Sequence, residues 1–420
     1  MTRKMKESGV FGIGVIPENW KLYKNKYLFT KKKNIVGENF NEYKLLSLTT
    51  QGIKEKDINS PDGKLPKTFS TYQEVEVNDL ILCLFDLDMS AVFSGKSNYD
   101  GMISPAYSIY ECNKLINAEF AEFWFQMIGF DRKYLYYSKS LRNTINSENF
   151  NDIITILPPL NEQKKIINYL RKATLNINKV IIETQNSIEE YKKYKYALIT
   201  KCILNGIDKN RIKKETNIDW IGRIPEEWEY KKVKYIFEIK KEIAGRTGLD
   251  ILSVTQSGIK IKDISKNEGQ IAADYSKYQI VEIGDFIMNH MDLLTGGVDC
   301  SKYYGVTSPD YRVFKFKNPE LYSPEYYTYI MQICYKNKIF YGLGQGVANL
   351  GRWRLQTDKF LNFVLPVPPK EEQIEIVNYL DKKCAEIDNI IEQKQKLLIE
   401  MEAYKKSLIY ECVTGKREVK

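Results

Sequence analysis

Two stretches of the chain carry apolar residues at alternating steps of four and three, each over about forty residues. The first follows Leu157-Pro158-Pro159 and the second follows Val367-Pro368-Pro369, and neither contains Gly or Pro before Gly206 and Gly415. The spacing predicts two helices of roughly 60 Å, each with a coiled-coil seam. The predicted seam residues are Ile166, Leu170, Ile177, Val180, Tyr191 and Leu198 in the first helix, and Ile376, Leu380, Ile387, Ile390, Leu397, Met401 and Leu408 in the second.

The two predicted helices differ in the sign of their charge. Residues 158–205 contain nine Lys or Arg and four Glu, a net charge of +5, whereas residues 367–415 contain seven Lys and ten Asp or Glu, a net charge of −3. Opposite charge favours pairing of the two helices with each other in one antiparallel coiled coil. The alternative is two separate amphipathic helices, each lying on its own domain.

The helices are the most visible part of a repeat that covers both halves of the chain. Pro-Pro-x-x-Glu-Gln precedes each helix, at 158–163 and again at 368–373. Ile-Pro-x-x-Trp opens each half, at 16–20 and again at 224–228. A repeat at half the chain length predicts two equivalent structural units.

Short runs that alternate apolar and polar residues fill the region before each helix, together with two helical segments near 118–130 and 324–336. This pattern predicts an α+β fold with two tandem, mostly-β domains and two long helices, related by a pseudo-two-fold axis. We expect a first domain at 1–157, a first helix at 158–206, a second domain at 207–366 and a second helix at 367–420.

Composition narrows the classes of function. The chain has 420 residues and a net charge of +9, which suggests an acidic partner such as nucleic acid. Its seven cysteines are scattered without a Cys-x-x-Cys pair, and it has one histidine, so neither a zinc site nor a disulfide framework is expected. With no apolar signal segment or membrane span in the sequence, we expect a cytoplasmic protein.

Motifs for catalysis are weak. Ser308-Pro309-Asp310-Tyr311 is one residue away from an amino-methyltransferase motif, but no glycine-rich cofactor loop precedes it, and a turn is the favoured interpretation. The segment 342–346 is rich in glycine and lacks the Lys-Ser/Thr of a phosphate loop. His290 has no Ser or Cys motif beside it, so a structural or DNA-contact role is favoured over catalysis.

The duplicated Ile-Pro-x-x-Trp and Pro-Pro-x-x-Glu-Gln motifs, in this order around two variable regions, resemble the specificity subunits of type I restriction–modification systems. The resemblance covers nearly the whole chain. It implies that each globular part is a target recognition domain for one half of a bipartite, asymmetric DNA sequence, and that the helices set the gap between the halves. It also implies a subunit without catalytic activity, in which the cofactors belong to the partner subunits.

The same resemblance implies the partners. They are double-stranded DNA, two methyltransferase subunits that use S-adenosylmethionine, and restriction subunits that use ATP. Two readers of unlike sequence imply a non-palindromic target, because each half-site is read by different side chains.

Lysine, arginine and amide side chains in loops are the candidates for DNA contact, since they can reach phosphates or base edges. For each of them a solvated surface position is an equal alternative. The candidates are Lys54, Lys56, Ser138, Lys139 and Arg142 in the first half, and Lys260, Lys262, Gln345, Asn349, Arg352 and Arg354 in the second.

Two other functions are compatible with parts of the pattern. A structural adaptor would carry two protein-binding domains on a coiled coil and would bind its partners without DNA. A self-contained methyltransferase is disfavoured, because the motifs that bind its cofactor are missing.

Overall fold

The structure is a computed structural model that describes residues 3–57, 68–87, 93–138, 143–256, 258–263, 274–345 and 353–419. The chain forms two compact units, one made of Met1–Asn186 with Lys394–Lys420 and the other of Ser187–Gln393. Both unit boundaries fall in the middle of a long helix, whereas the boundaries predicted from sequence fall at the helix ends.

Unit 1 consists of short strands, two short helices and parts of both long helices. Its strands are β1 (Met5–Glu7), β2 (Val15–Pro17), β3 (Lys21–Lys24), β4 (Phe29–Lys32), β5 (Leu46–Thr49), β6 (Gly52–Glu55), β7 (Gln73–Val75), β8 (Leu80–Leu82), β9 (Ser94–Lys96), β10 (Gly101–Ile103), β11 (Ser108–Cys112) and β12 (Ile154–Leu157). Its helices are α1 (Ala118–Gly129), α2 (Ser147–Asp152) and the first part of α3 (Leu160–Asn205).

Unit 2 repeats this order. Its strands are β13 (Lys213–Glu215), β14 (Arg223–Pro225), β15 (Glu229–Lys232), β16 (Phe237–Lys240), β17 (Leu252–Thr255), β18 (Gly258–Ile261), β19 (Gln279–Val281), β20 (Phe286–Met288), β21 (Val298–Cys300), β22 (Gly305–Thr307), β23 (Arg312–Phe316) and β24 (Val364–Val367). Its helices are α4 (Val233–Ile236), α5 (Pro324–Lys336), α6 (Ile339–Gly342), α7 (Thr357–Asn362) and the first part of α8 (Lys370–Val413).

An antiparallel four-stranded sheet is the centre of each unit. Its strand order is β4-β11-β8-β9 in unit 1 and β16-β23-β20-β21 in unit 2. One face packs on the apolar side of α1 or α5, with buried aromatic residues such as Phe125 and Trp124 in unit 1 and Phe314 and Tyr327 in unit 2. The α+β class predicted from sequence is confirmed, and both units have the same sheet order.

The long helices pair antiparallel within each unit. In unit 1, Ile166 and Leu170 near the start of α3 share one core with Leu408 and Cys412 near the end of α8. In unit 2, the end of α3 and the start of α8 share a core in the same way. Lys195 donates to the Asp388 carboxylate across this pair at 2.6 Å. The predicted pairing of a basic with an acidic helix is therefore present.

The buried seam does not follow the predicted heptads along its whole length. Val180 is 40% exposed, and Ile181 is buried in its place. Buried or half-buried residues instead recur every eleven positions, at Ile166, Ile177, Ile188 and Ile199 in α3 and at Ile376, Ile387, Leu398 and Ile409 in α8. A period of eleven is about 3.67 residues per turn and is typical of right-handed winding, whereas heptads wind left-handed.

The remaining predicted seam residues divide between buried and half-buried positions. Seven of them are buried, namely Ile166, Leu170, Ile177, Ile376, Leu380, Ile387 and Leu408. Tyr191, Leu198, Ile390, Leu397 and Met401 are half-buried, which fits a seam that drifts off heptad phase along the helix.

Candidate nucleic-acid interface

The two motifs that define the repeat bind each other in both units. The indole Nε1 of Trp20 donates to the Glu162 carboxylate at 2.9 Å, and Trp228 donates to Glu372 at 2.8 Å. Arg3 forms an ion pair with Glu162 in the same cluster. Burial alone would raise the pKa of Glu162, but hydrogen bonds from Trp20 and Arg3, and a third from Asn19, lower it below its usual value.

The glutamine that follows each of these acids fastens the helix start to the globular part. The amide of Gln163 donates to Leu115 O and Pro158 O, each at 2.9 Å, and its oxygen accepts from Asn117 N at 2.8 Å. Gln373 makes the corresponding bond with Ser323 N at 2.8 Å. These buried bonds fix each sheet on its long helix, so loops carried by the sheet are held at a defined orientation.

One loop in each unit is anchored by the same pair of backbone bonds. In unit 1, Ile145 N donates to Leu84 O at 2.8 Å and Leu87 N donates to Asn143 O at 3.2 Å. In unit 2, Leu355 N donates to His290 O at 2.9 Å and Leu293 N donates to Trp353 O at 3.2 Å.

These loops, which we call the variable loops, span residues 138–142 and 345–354 and contain the predicted contact residues Ser138, Lys139 and Arg142, and Gln345, Asn349, Arg352 and Arg354. Ile145 follows the start of α1 by 27 residues, and Leu355 follows the start of α5 by 31. The stretch that contains the variable loop is therefore four residues longer in unit 2. An identical anchor with unlike loop sequence and length is the geometry expected of two readers of different targets.

In unit 1, the structure describes one of the three predicted variable-loop residues. Ser138 is half-buried, and its buried hydroxyl has no hydrogen-bond partner among the described residues. Ser138 N donates to Leu135 O at 3.0 Å in a turn at the start of this segment. Contact of Ser138 with DNA stays a prediction. Lys139 and Arg142 lie outside the described residues.

In unit 2, both ends of the variable loop are described. Gln345 and Arg354 are exposed, and their backbones pair through two bonds of 3.1 Å. The Gln356 amide donates to the Gln345 side-chain oxygen at 2.6 Å. Asn349 and Arg352 lie between these residues and outside the described part of the chain.

The predicted lysines lie on two equivalent hairpins. Lys54 is exposed on β6 and Lys260 on β18, each two residues beyond a glycine with positive φ, Gly52 (96°) and Gly258 (103°). Lys56 and Lys262 follow at half-buried positions. Exposed lysines beside a fixed turn can contact phosphates, and no described acid neutralises Lys54 or Lys260 through an ion pair.

A buried cation that sequence analysis missed lies beneath the variable loop of unit 2. Arg312 is 4% exposed and donates to Leu355 O at 3.0 Å and to the Thr357 hydroxyl at 3.3 Å, with its guanidinium 4.6 Å from the Phe360 ring. Burial lowers the pKa of Arg312 to about 10. The period-two pattern of β23 was its only sequence signal, and unit 1 has Ser108 at the matching position.

His290 is buried beside Arg312. Burial, followed by the positive charges of Arg312 and Arg354, lowers the pKa of His290 to about 4. The imidazole is therefore neutral at neutral pH, and its backbone carbonyl anchors Leu355. A structural role is one of the two roles, with DNA contact, that the sequence favoured over catalysis.

The Ser308-Pro309-Asp310-Tyr311 motif has a structural explanation. Tyr311 N donates to Ser308 O at 3.0 Å in a turn before β23, and the Gln279 amide donates to Ser308 O and Tyr311 O at 3.0 and 2.9 Å. Unit 1 repeats this arrangement with Gln73. Among the described residues, no group of His, Cys, Asp or Glu is placed to hold a metal ion, and no helix is long and apolar enough to cross a membrane.

Comparison with known proteins identifies the same architecture. Residues 225–401 match the family described as type I restriction modification DNA specificity domain. The specificity subunit of the type I restriction enzyme MjaVIII from Methanocaldococcus jannaschii is 23% identical, over 96% of this chain and 94% of its own. The EcoBI specificity subunit of Escherichia coli is 22% identical, over 64% of this chain and 60% of its own.

Solved structures agree on the fold. A chain from a study of complex assembly and conformational transition of the type I R-M system superposes with a TM-score of 0.69 and 11% identity, over 96% of this chain and 99% of that one. The HsdS subunit from Thermoanaerobacter tengcongensis superposes with a TM-score of 0.53 and 12% identity, over 98% and 100%. Together with the duplicated motifs and their contacts, these matches show that the chain is similar over nearly its whole length to specificity subunits of type I restriction–modification systems, and that residues 225–401 match the DNA specificity domain of that family.

Proposed function

We propose that this chain is a DNA-reading subunit in which each unit reads one half of a bipartite, asymmetric target. The observation that carries the proposal is the variable loop, held by the same two backbone bonds in both units and unlike in sequence and length. A fixed anchor with a changing loop allows two different sequences to be read from one framework.

The proposed contacts fall into two classes. Gln345 and Arg354, together with Lys139, Arg142, Asn349 and Arg352, are candidates for base edges, because amide and guanidinium groups form paired hydrogen bonds with adenine and guanine. Lys54, Lys56, Lys260 and Lys262 are candidates for phosphates, which contribute affinity without specificity.

The chemistry of the complex is proposed to reside in the partner subunits. Two methyltransferase subunits using S-adenosylmethionine would modify the target, and restriction subunits using ATP would cleave unmodified DNA. In this proposal the chain itself binds neither cofactor and carries out no reaction.

Methylome sequencing of a host that carries this chain with its methyltransferase partner tests the proposal. We expect methylation at one split sequence whose two halves differ. Replacing residues 345–354 should then alter one half and leave the other half and the gap unchanged. Absence of any split methylated sequence from an active complex would contradict the proposal.

The competing hypothesis, a structural adaptor, differs in one measurable property. An adaptor would bind its protein partners equally with and without DNA, whereas the DNA-reading subunit should bind duplex DNA with a strong dependence on salt.

A further inference from the structure

A cleft in unit 2 lies between the long helix α3, the tip of the β17–β18 hairpin and the end of α5. Its volume is about 560 Å³, within the range of roughly 300–1,000 Å³ common for sites of small ligands. None of the residues that line the cleft belongs to the segment 345–354, and the loop 292–298 contributes to one of its walls. The side chains that carry the argument are Lys193, Lys336, Lys338, Gln256, Gln332 and Tyr196.

The lining is positively charged. Among the described residues, three lysines line the cleft and no Asp or Glu does. Within the part of the chain that the structure describes, none of these three ammonium groups forms an ion pair, and the one recorded contact is that of Lys336 with the Tyr196 ring at 4.7 Å. Three cations around one concave surface attract an anion more strongly than separated surface lysines do.

The acids nearest in sequence to the cleft wall are engaged in their own turns. The Asp292 carboxylate accepts from Leu294 N and Thr295 N, each at 3.0 Å. The Asp299 carboxylate accepts from Ile259 N and Cys300 N, each at 3.0 Å. Their charge is directed to backbone amides, so it does not neutralise the lysines by direct contact.

The walls are held firmly. A Cβ added to Gly297 would lie 2.5 Å from Thr255 O, so the loop and the hairpin tip approach as closely as two backbones can. The Tyr335 hydroxyl donates to Asn289 O at 2.5 Å and fixes a second wall. Lys338 has a left-handed backbone with φ 56°, which directs the chain sharply away from the end of α5.

We propose that this cleft binds a phosphate ester, supplied either by the backbone of DNA or by a free nucleotide. Lysine ammonium groups bind phosphate as point charges, the Gln256 and Gln332 amides can donate to its oxygens, and Tyr196 offers an aromatic face for a base. For DNA as the source, the inference rests on the proposed function and adds a phosphate site outside the variable loop. For a free nucleotide it stands by itself.

The lysines also have a structural effect that a test must separate from binding. Lys336 is in the last turn of α5, where a positive side chain stabilises the helix dipole by about 0.3–1 kcal/mol. Loss of stability alone would therefore not support the proposal. A change in the salt dependence of DNA binding would support the proposal, because each phosphate contact contributes about 0.9 to the slope of log K against log salt.

The experiment compares two triple variants of the full chain. The test variant is Lys193→Gln with Lys336→Gln and Lys338→Gln, and the control removes the same charge from exposed lysines of unit 2 outside the cleft, by Lys241→Gln, Lys317→Gln and Lys359→Gln. Both are titrated with a 30-base-pair duplex across a range of KCl concentrations and, separately, with adenosine 5′-monophosphate. Melting temperature and the resonance of the single histidine report whether each variant is folded.

For DNA as the source, we expect the test variant to bind the duplex at least tenfold more weakly, with a slope shallower by about 1 to 3, while the control changes much less. For a nucleotide, the test variant should lose adenosine monophosphate binding that the control retains. Equal behaviour of the two variants with both ligands would overturn the inference. Failure of the wild-type chain to bind any duplex would instead overturn the proposed function, and the nucleotide titration would still decide whether the cleft binds a phosphate ester.

Discussion

The indole of Trp228 donates to the carboxylate of Glu372 at 2.8 Å, although 144 residues separate them in the chain. Trp228 is fully buried, and Glu372 also pairs with Arg211. The bond joins the segment between β14 and β15 to the first turn of α8. Its copy in unit 1 explains why the two motifs occur together, since each contains one partner of a single buried cluster.

Removing this carboxylate should destabilise unit 2. A hydrogen bond to a charged group contributes about 1.5–3 kcal/mol, so Glu372→Ala should lower the free energy of unfolding by roughly that amount, and Glu372→Gln by less because its amide oxygen still accepts from Trp228. Urea denaturation followed by tryptophan fluorescence measures it. The neighbouring Glu371 is exposed, and Glu371→Ala should change stability by less than about 0.5 kcal/mol.

His290 should make the protein sensitive to acid. Its pKa is about 4 in the folded chain and 6.5 in its ordinary state, so between these pH values the unfolded chain binds a proton that the folded chain does not. Stability is therefore lost as the pH falls from 6.5 to 4, by about 3 kcal/mol at most, and the loss ends below pH 4.

The matched control for this prediction is His290→Leu, because Leu84 occupies the same position in unit 1. The variant should lack this part of the pH dependence. As the chain has one histidine, proton NMR of a single imidazole measures the pKa directly. An imidazole that titrates near 6.5 in the folded protein would contradict the prediction.

The observed seam predicts a large loss of stability at one residue and a small loss at its neighbour. Ile181→Ala should lower the free energy of unfolding by about 2–4 kcal/mol, since it removes a buried side chain from the seam. Val180→Ala should cost less than about 0.5 kcal/mol, because Val180 is 40% exposed. Chemical denaturation of both variants measures the difference. A larger effect at Val180 would favour the heptad register.

If the helices set the gap between half-sites, lengthening both should widen it. Eleven residues inserted in α3 and in α8 at equivalent seam positions preserve the seam and add about 16 Å to each helix. That length corresponds to about five base pairs at 3.4 Å each. Methylome sequencing should show the same two half-sites with a wider gap, whereas an unchanged gap would mean that the helices are not the spacer.

Sequence alone was sufficient for the repeat, the two helices and their pairing, because these depend on periodic apolar residues and on motifs that appear twice. The seam register was missed because steps of three and four fit both seven- and eleven-residue periods over short distances, although isoleucine at every eleventh position from 166 to 199 was visible. The eleven-residue period becomes distinct only when the whole helix is considered.

The candidate site was predictable in part. Residues in loops were expected to carry the DNA contacts, and those contacts stay a prediction. The burial of Arg312 depends on tertiary packing that leaves no local pattern in the sequence. The lysine cleft combines residues from 193 to 338, and no motif connects positions so far apart.

The end of α8 completes a unit that begins at the other end of the chain. Lys416 and Tyr410 donate to the backbone of Ile13, and a Cβ on Gly415 would lie 2.4 Å from the Pro17 ring. Unit 2 is continuous in sequence from 187 to 393, whereas unit 1 needs residues 394–420. During synthesis the second unit can therefore fold while the first still exposes the apolar face of α3, which makes the nascent first half the part most dependent on protection from aggregation.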